Sequence, residues 1–483
     1  MTQHTGKNEL PDHLKLLVGD KGREKELKGY LESPTVIVDE AWDQFAAVAN
    51  SALDAYMNYC KVNGIPHSYF LGLDILVMGS IDAKDPRRVF DIRPTLVEGP
   101  CCNSYPACPN LWSSRLYGQM KLLGFNPDAV EYPTHPLYIL QKIANLFRNI
   151  WKVRGNTKRN PVVAVFTRPY DLSEEETAHE ETLQGFRDAG FEAYRVTPAE
   201  HPEVKEGKLW VHGKPIDMVW RRIERIHVPG QANPPGRDDE SWVEFYGKDL
   251  AYQIVNETPN TIWVNPWKVD DLRSKTIEER AFRLYEQSDH GAHVSRPLTL
   301  LDKEVTKQSV AGLAETGGWV MKRWNSTGGK GVFMHMNLGV AKHVADRMYC
   351  RYDGRHMILL DDPALAQELD KFDSFNEDTA VQQMRFVDAR HLGGDNRLVY
   401  DTRINVLYDP LAERWEFLSG ISRSVACGPN VASGNSLLTN ISAGAEVSPL
   451  IMGHTRRHES LGAVTYGPLL TALMRGENET IIE

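Results

Sequence analysis

A short set of cationic side chains beside a glycine run holds the chemistry of this chain. Lys322 lies in an apolar stretch, WVMKRW, that breaks directly into Asn325-Ser326-Thr327-Gly328-Gly329-Lys330-Gly331. Residues without a β-carbon let backbone amides fold closely over a chain of phosphates, and a lysine one strand-end away adds fixed positive charge. The run is not a Walker loop, because no G-K-[ST] follows at the required spacing. Arg403, in DTRINVLYD, alternates with Thr402 and Ile404 in a strand-like run, and Arg423 sits in the next one, GISRS. An arginine buried in a strand with no anion to meet is costly, so both positions are expected to meet an anion, a phosphate or an acyl phosphate.

These residues need elements to hold them. Residues 40 to 63 place apolar side chains at helical spacing and finish on Gly64, a C-cap residue. YFLGLDILVMG is nearly continuous in apolar residues, as a covered strand is, and RVFDIRPTL reads as its hairpin partner after the turn IDAKDP. From about 100 to 265, strands and helices alternate. PVVAVFT (161 to 167) is a buried strand, EEETAHEETLQGFRDAG an amphipathic helix ending at Gly190, and FEAYRVTP a second strand. KLWVHGKPIDMVWRRI is predicted to form a hairpin-like pair turned at His212-Gly213-Lys214-Pro215, and residues 228 to 241 an exposed loop. DDLRSKTIEERAFRLYEQ reads as a helix and AVQQMRFV (380 to 387) as a strand.

The order lysine strand, glycine loop, D-x-R strand, arginine strand and the loop TNISAGAEVSPL resembles the ATP-grasp ligases, particularly the branch of the glutathione synthetases and D-alanine ligases. Those enzymes carry one more element, an acidic metal-binding hairpin. None follows Asn440, and the matching one is YFLGLDILVMGSIDAKDPRRVFDIRPTLVEGP, near the N-terminus. The chain therefore resembles a circularly permuted ATP-grasp enzyme, an α/β (α+β) fold with a preceding Rossmann-like α/β domain. On that reading residues 1–100 hold the permuted C-terminal part of the core with its hairpin, 101–265 the preceding domain, 266–350 the small subdomain and 351–483 the large one. Whether the hairpin returns to the lobe of Lys322 is left open by the sequence, although close termini make such a return topologically cheap.

The resemblance implies ATP and Mg²⁺ as cofactors. Lys275, in a segment similar to the D-K-x-x-x-K helix of D-alanine ligases, and Lys322 would touch phosphates; Ser326, Thr327, Gly328 and Gly329 would cover them. The backbone of Gln383 and Met384 would pair with the adenine edge, and Asn440 would line the phosphate and acceptor site, unless it only caps a turn before a helix. Arg403 would meet the γ-phosphate and Arg423 the developing oxyanion, and Arg403→Ala is predicted to abolish turnover and leave the fold intact. Asp74 and Asp91 would ligate two magnesium ions. Here the pattern departs from the family, whose second motif is E-x-N-P, because this chain has Asp91-Ile92-Arg93-Pro94. An arginine cannot ligate a cation. The missing oxygen would come from Glu98, Asn103 or Asn440, and Arg93 would be left to hold a phosphate or a substrate carboxylate.

Composition bounds the rest. A chain of 483 residues, 41% hydrophobic, has room for two to four structural units. Its net charge of −10 opposes nucleic-acid binding, which needs a basic face. No run approaches the roughly 18 to 20 apolar residues that cross a bilayer, and the first thirty residues are too polar for a signal peptide, so a soluble, cytoplasmic protein without a membrane partner is expected. Six cysteines lack C-x-x-C spacing, and Cys101, Cys102 and Cys108 read as a reduced loop. The resemblance implies a ligase that joins two amino acids as a dipeptide or γ-glutamyl amide, glutamate and an unusual amino acid being the particular pair. Arg221 and Arg222 are candidates for the substrate carboxylate, or a solvated strand end. A ligase acting on a polyamine or a peptide end and a nucleotide-binding regulator without turnover stay open as alternatives, as does a homo-oligomer.

Overall fold

The computed structural model describes residues 35–37, 39–81, 89–99, 136–156, 159–167, 174–221, 246–272, 274–289, 291–315, 318–323, 332–337, 347–352, 357–360, 379–383, 390–391, 397–427 and 446–452. The chain opens with strand β1 (Thr35–Ile37), helix α1 (Asp39–Val62) and a hairpin of β2 (Phe70–Ile81) and β3 (Val89–Glu98). Ala49, Ala52, Leu53, Tyr56 and Cys60 recur at helical spacing and are buried, so α1 has one apolar stripe. That stripe packs on Leu71, Leu73 and Ile75 of β2 and Leu96 of β3, the alternate side chains of one sheet face.

The middle of the chain runs α2 (Pro136–Val153), β4 (Val162–Phe166), α3 (Glu174–Asp188), β5 (Glu192–Val196), β6 (Glu203–Lys205), β7 (Lys208–Val211), β8 (Lys214–Pro215), β9 (Met218–Arg221), α4 (Lys248–Asn256) and β10 (Ile262–Trp263). β10, β9, β4 and β5 form a parallel sheet in that order. Val163, Val165, Met218 and Trp220 face the core under α2 and α3, whereas Ala164, Phe166 and Val219 face the core under α4. The expected pairing within KLWVHGKPIDMVWRRI is half correct. His212 (φ 50°) and Gly213 (φ 73°) turn β7 into β8 as predicted. β9 instead leaves for the parallel sheet beside β4, because MVWR is buried at all four positions and needs cover on both faces.

The remaining elements are α5 (Lys275–Glu286), β11 (Thr299–Leu301), α6 (Lys307–Glu315), β12 (Gly318–Arg323), β13 (Val332–Asn337), β14 (Arg347–Tyr352), β15 (Met357–Leu360), β16 (Thr379–Gln383), β17 (Arg390–His391), β18 (Arg397–Asp409), β19 (Arg414–Cys427) and β20 (Glu446–Met452). An antiparallel sheet, ordered β11-β16-β12-β13-β14-β15, carries Lys322. The largest sheet, ordered β1-β20-β19-β18-β2-β3 with β17 on β18, is woven from the early and late parts of the chain. The acidic hairpin thus joins β18, beside Arg403, and not the sheet of Lys322. Its apolar face supplies the reason, since Leu71, Leu73 and Ile75 share one core with Ile404 and Val406 beneath α1. The whole is a mixed α/β fold of several sheets. Among the described residues no helix is long and apolar enough to cross a membrane.

Candidate active site

Register brings the two charged motifs of the large sheet together. Arg403 on β18 lies opposite Asp74 on β2. Its Nε donates to Asp74 Oδ1 and its Nη2 to Oδ2, each at 2.6 Å, across 329 residues of sequence. The Asp74 side chain is 5% exposed and that of Arg403 28%. A bidentate guanidinium is the arrangement that best neutralises a buried carboxylate, and it fixes the fork at the sheet surface. One strand further on, Arg423 of β19 is in register with Asp401, two residues from Arg403. Strand spacing and rise put the two arginine α-carbons about 8 Å apart.

A second charged cluster stands one residue beyond the end of β3. Asp74 is in register with Glu98, and the next residue, Gly99, donates its N–H to Glu278 Oε1 at 2.5 Å. The other Glu278 oxygen accepts from Lys275 Nζ at 2.7 Å. Lys275 is the first residue of α5, whose N-cap Ser274 accepts from the Ile277 N–H. A lysine there opposes the positive end of the helix dipole, and it is nearly buried; Glu278 offsets both penalties. A β-carbon on Gly99 would lie 2.4 Å from Glu278 Oε1 and 2.9 Å from the Phe282 ring, so only glycine permits this approach. Neither Gly99 nor Glu278 stands out in the sequence. The available signal was the i, i+3 spacing of Lys275 and Glu278, which surface pairs share.

α5 also bridges the sheet of Arg403 and the sheet of Lys322. Its inner face packs Ala281 and Phe282 against the α1 core, while Arg283 Nη2 donates to the Thr299 carbonyl of β11 at 2.7 Å. Arg296 grips the helix from outside, binding Glu279 through Nε at 2.7 Å and Glu286 through Nη1 at 2.6 Å. Burial pushes the Glu286 carboxyl up, but the hydrogen bonds from Arg296 and the Val294 N–H outweigh it and hold it below the usual range. Arg283, bound to Glu304 at 2.8 and 2.9 Å, holds that carboxyl low as well. The outer edge of β3 is closed by Ser295, whose carbonyl accepts from the Leu96 N–H at 2.9 Å.

The other expected residues divide by place. Lys322 lies in β12, in register with Val332 and with Ala380 of β16. Gln383 ends β16, half-buried, and its N–H already donates to the Leu298 carbonyl at 2.7 Å. Asp91 lies where the register of β2 and β3 shifts, between the pairs Ser80–Phe90 and Met78–Arg93, a bulge of the kind frequent beside functional sites. Ser326, Thr327, Gly328, Gly329, Met384 and Asn440 lie outside the described residues, as do Asn103, Arg222, the loop 228–241 and the cysteines at 101, 102 and 108. Arg221 is neither a solvated strand end nor open to a substrate. It is wholly buried, donates to both oxygens of Asp270 at 2.6 and 2.7 Å, and stacks 4.4 Å over Trp267. It pins β9 to the turn that leads toward α5.

Both oxygens of Asp74 accept from Arg403, and no three His, Cys, Asp or Glu side chains among the described residues cluster closely enough to hold a metal ion.

No protein-family model and no curated protein matches this chain. Among solved structures, a glutathione synthetase-like effector from Globodera pallida in its apo form aligns at a TM-score of 0.46 and 9% identity, covering 87% of this chain and 89% of its own. A Methylobacillus flagellatus protein that carries the provisional name gamma-glutamylcysteine synthetase aligns at 0.44 and 10%, covering 93% of this chain and 99% of its own. At these scores neither assigns a family or an activity to the chain.

Proposed function

We propose that this protein is an ATP-dependent carboxylate–amine ligase of ATP-grasp type, circularly permuted, which joins two amino acids and releases ADP and phosphate. The observation that carries the reading is the Asp74–Arg403 fork, which unites the acid of the early hairpin with the arginine of the D-x-R strand. Lys275 lies within reach of the same sheet edge through Glu278 and Gly99. In this reading a substrate carboxylate oxygen attacks the γ-phosphorus of ATP, the bond to the bridging oxygen breaks, and ADP leaves. An amine lone pair then attacks the acyl carbon of the resulting acyl phosphate. The tetrahedral species expels phosphate, and the amine nitrogen gives up its proton.

The chain's own part is alignment and neutralisation. Lys275, Lys322 and Arg403 oppose the charge of the phosphates, and Arg423 lies near the oxyanion of the second step. No side chain acts as a covalent nucleophile. Asp74, once released by Arg403, and Asp91 would be the ligands of magnesium bound with the nucleotide, and the ion would add to the neutralisation of the phosphates. Glutamate with an unusual amino acid is the substrate pair this reading selects. The test is magnesium-dependent release of ADP and phosphate across single amino acids and then pairs, with mass analysis of the product. Turnover that needs two amino acids and yields their sum less one water supports the ligase; AMP in place of ADP would sink the acyl-phosphate route.

A further inference from the structure

Glu278 has no part in the reaction just described, yet its carboxylate is held at both oxygens. One oxygen is held by the Gly99 N–H at 2.5 Å and the other by Lys275 at 2.7 Å, and its side chain is 4% exposed. The two attachments differ in kind. The Gly99 amide belongs to the backbone and cannot turn away, and the absence of a β-carbon is what lets the carboxylate approach it, since a β-carbon there would lie 2.4 Å from Glu278 Oε1. Lys275 sits on a flexible four-carbon stem at the first turn of α5, so its ammonium is the movable member of the pair. An anchored carboxylate and a movable ammonium have the geometry of an anion already seated where a ligand anion would compete for the cation.

We infer that Glu278 is an internal substitute for a phosphate oxygen at Lys275, and that its competition sets the affinity of the nucleotide site. The inference rests on the proposed assignment of Lys275 to the phosphates. Without nucleotide, Glu278 keeps a nearly buried ammonium neutralised. A triphosphate, with several charges, draws Lys275 away, while the Gly99 amide retains the carboxylate and limits the cost of leaving it behind. Gly99 and Glu278 are positioning residues here, acting through Lys275.

The two roles of Glu278 predict opposite signs. A residue that merely supports the fold weakens every ligand when it is changed. Changing a competitor weakens the unliganded protein and strengthens anion binding. Calorimetric titration of wild type, E278Q, G99A and K275A with ATP, inorganic tripolyphosphate and adenosine separates them. E278Q is expected to bind ATP and tripolyphosphate about five- to tenfold more tightly, with adenosine unchanged, and to gain a larger ATP-induced shift in melting temperature than wild type. G99A keeps every charge and displaces the carboxylate, so it is expected to act in the same direction and decides the matter if E278Q fails to fold. K275A is expected to lose about tenfold or more for both phosphates. If K275A weakens but E278Q and G99A bind ATP no better than wild type, competition by Glu278 is wrong and the ligase reading stands. Wild-type ATP affinity in K275A would remove Lys275 from the site and the inference with it. No binding of ATP by wild type would overturn the ligase reading itself.

Discussion

At the scale of single residues, the Asp74–Arg403 pair changes what a substitution there must do. Asp74 is almost wholly buried, and both its oxygens are satisfied by the one guanidinium. Arg403→Ala therefore strands a carboxylate in the sheet, and the expectation that the fold would be untouched is corrected. The loss is about 3 kcal/mol, the low end for a broken buried pair because Arg403 keeps 28% exposure. Urea unfolding of R403A should show that loss, and adding D74N should restore much of it by removing the charge that was stranded. If R403A unfolds at the wild-type midpoint, the pair is not formed in solution. Arg403→Lys should lose turnover while recovering part of the stability, because an ammonium keeps the charge and lacks the planar fork. The need of Arg403 for an anion was legible in the sequence, because an arginine within an alternating apolar strand requires one; that Asp74 is the anion beside it was not. Nor was Glu278. Its partner Gly99 is 179 residues away, and only the folded chain brings a missing β-carbon against a carboxylate.

At the scale of elements, α5 places Lys275 and connects two sheets, so its start and its outer face can be tested separately. Ser274 caps the helix by accepting the Ile277 N–H at 3.2 Å, and Ser274→Ala should cost about 1 kcal/mol in thermal or urea unfolding. The outer face responds to acid. Glu286 and Glu304 titrate below the ordinary carboxylate range in the folded protein, so each contributes stability that is complete above the unfolded value of about 4.3. That stability is lost as pH falls through the lower folded values, because the unfolded chain then takes up protons first. Unfolding midpoints measured from pH 6 down to pH 3 should fall, and E286Q should make the fall shallower; an unchanged slope would mean Arg296 does not hold Glu286. Helix α1 was legible from its apolar periodicity, and strands β4 and β5 from short runs rich in β-branched and aromatic residues. The destination of β9 was not, since MVWR suits either a hairpin or a parallel sheet until its cover on both faces is known.

At the scale of the whole molecule, the sheet that carries Arg403 depends on two distant parts of the chain. β2 lies between β18 and β3, and α1 closes the core that Leu73, Ile75, Ile404 and Val406 share. The sequence showed that a hairpin bearing acidic residues stood early in the chain. It did not show which sheet would receive the hairpin, because that choice rests on matching apolar faces in space. The same dependence makes a prediction about a cut chain. No described element lies between Gly99 and Pro136, so a break there interrupts none of the contacts above. Residues 1 to 120 and 121 to 483, produced together with a tag on one, should co-purify, because β2 and β18 pair over seven residues and α1 covers their shared face. The longer piece alone would leave the β18 edge unpaired and Ile404 and Val406 bare, a surface that drives strand-to-strand aggregation. It should therefore be insoluble or oligomeric by size-exclusion chromatography. A longer piece that stays monomeric and melts like the whole protein would show that the early hairpin does not complete this sheet, and Asp74 could then not be the partner of Arg403.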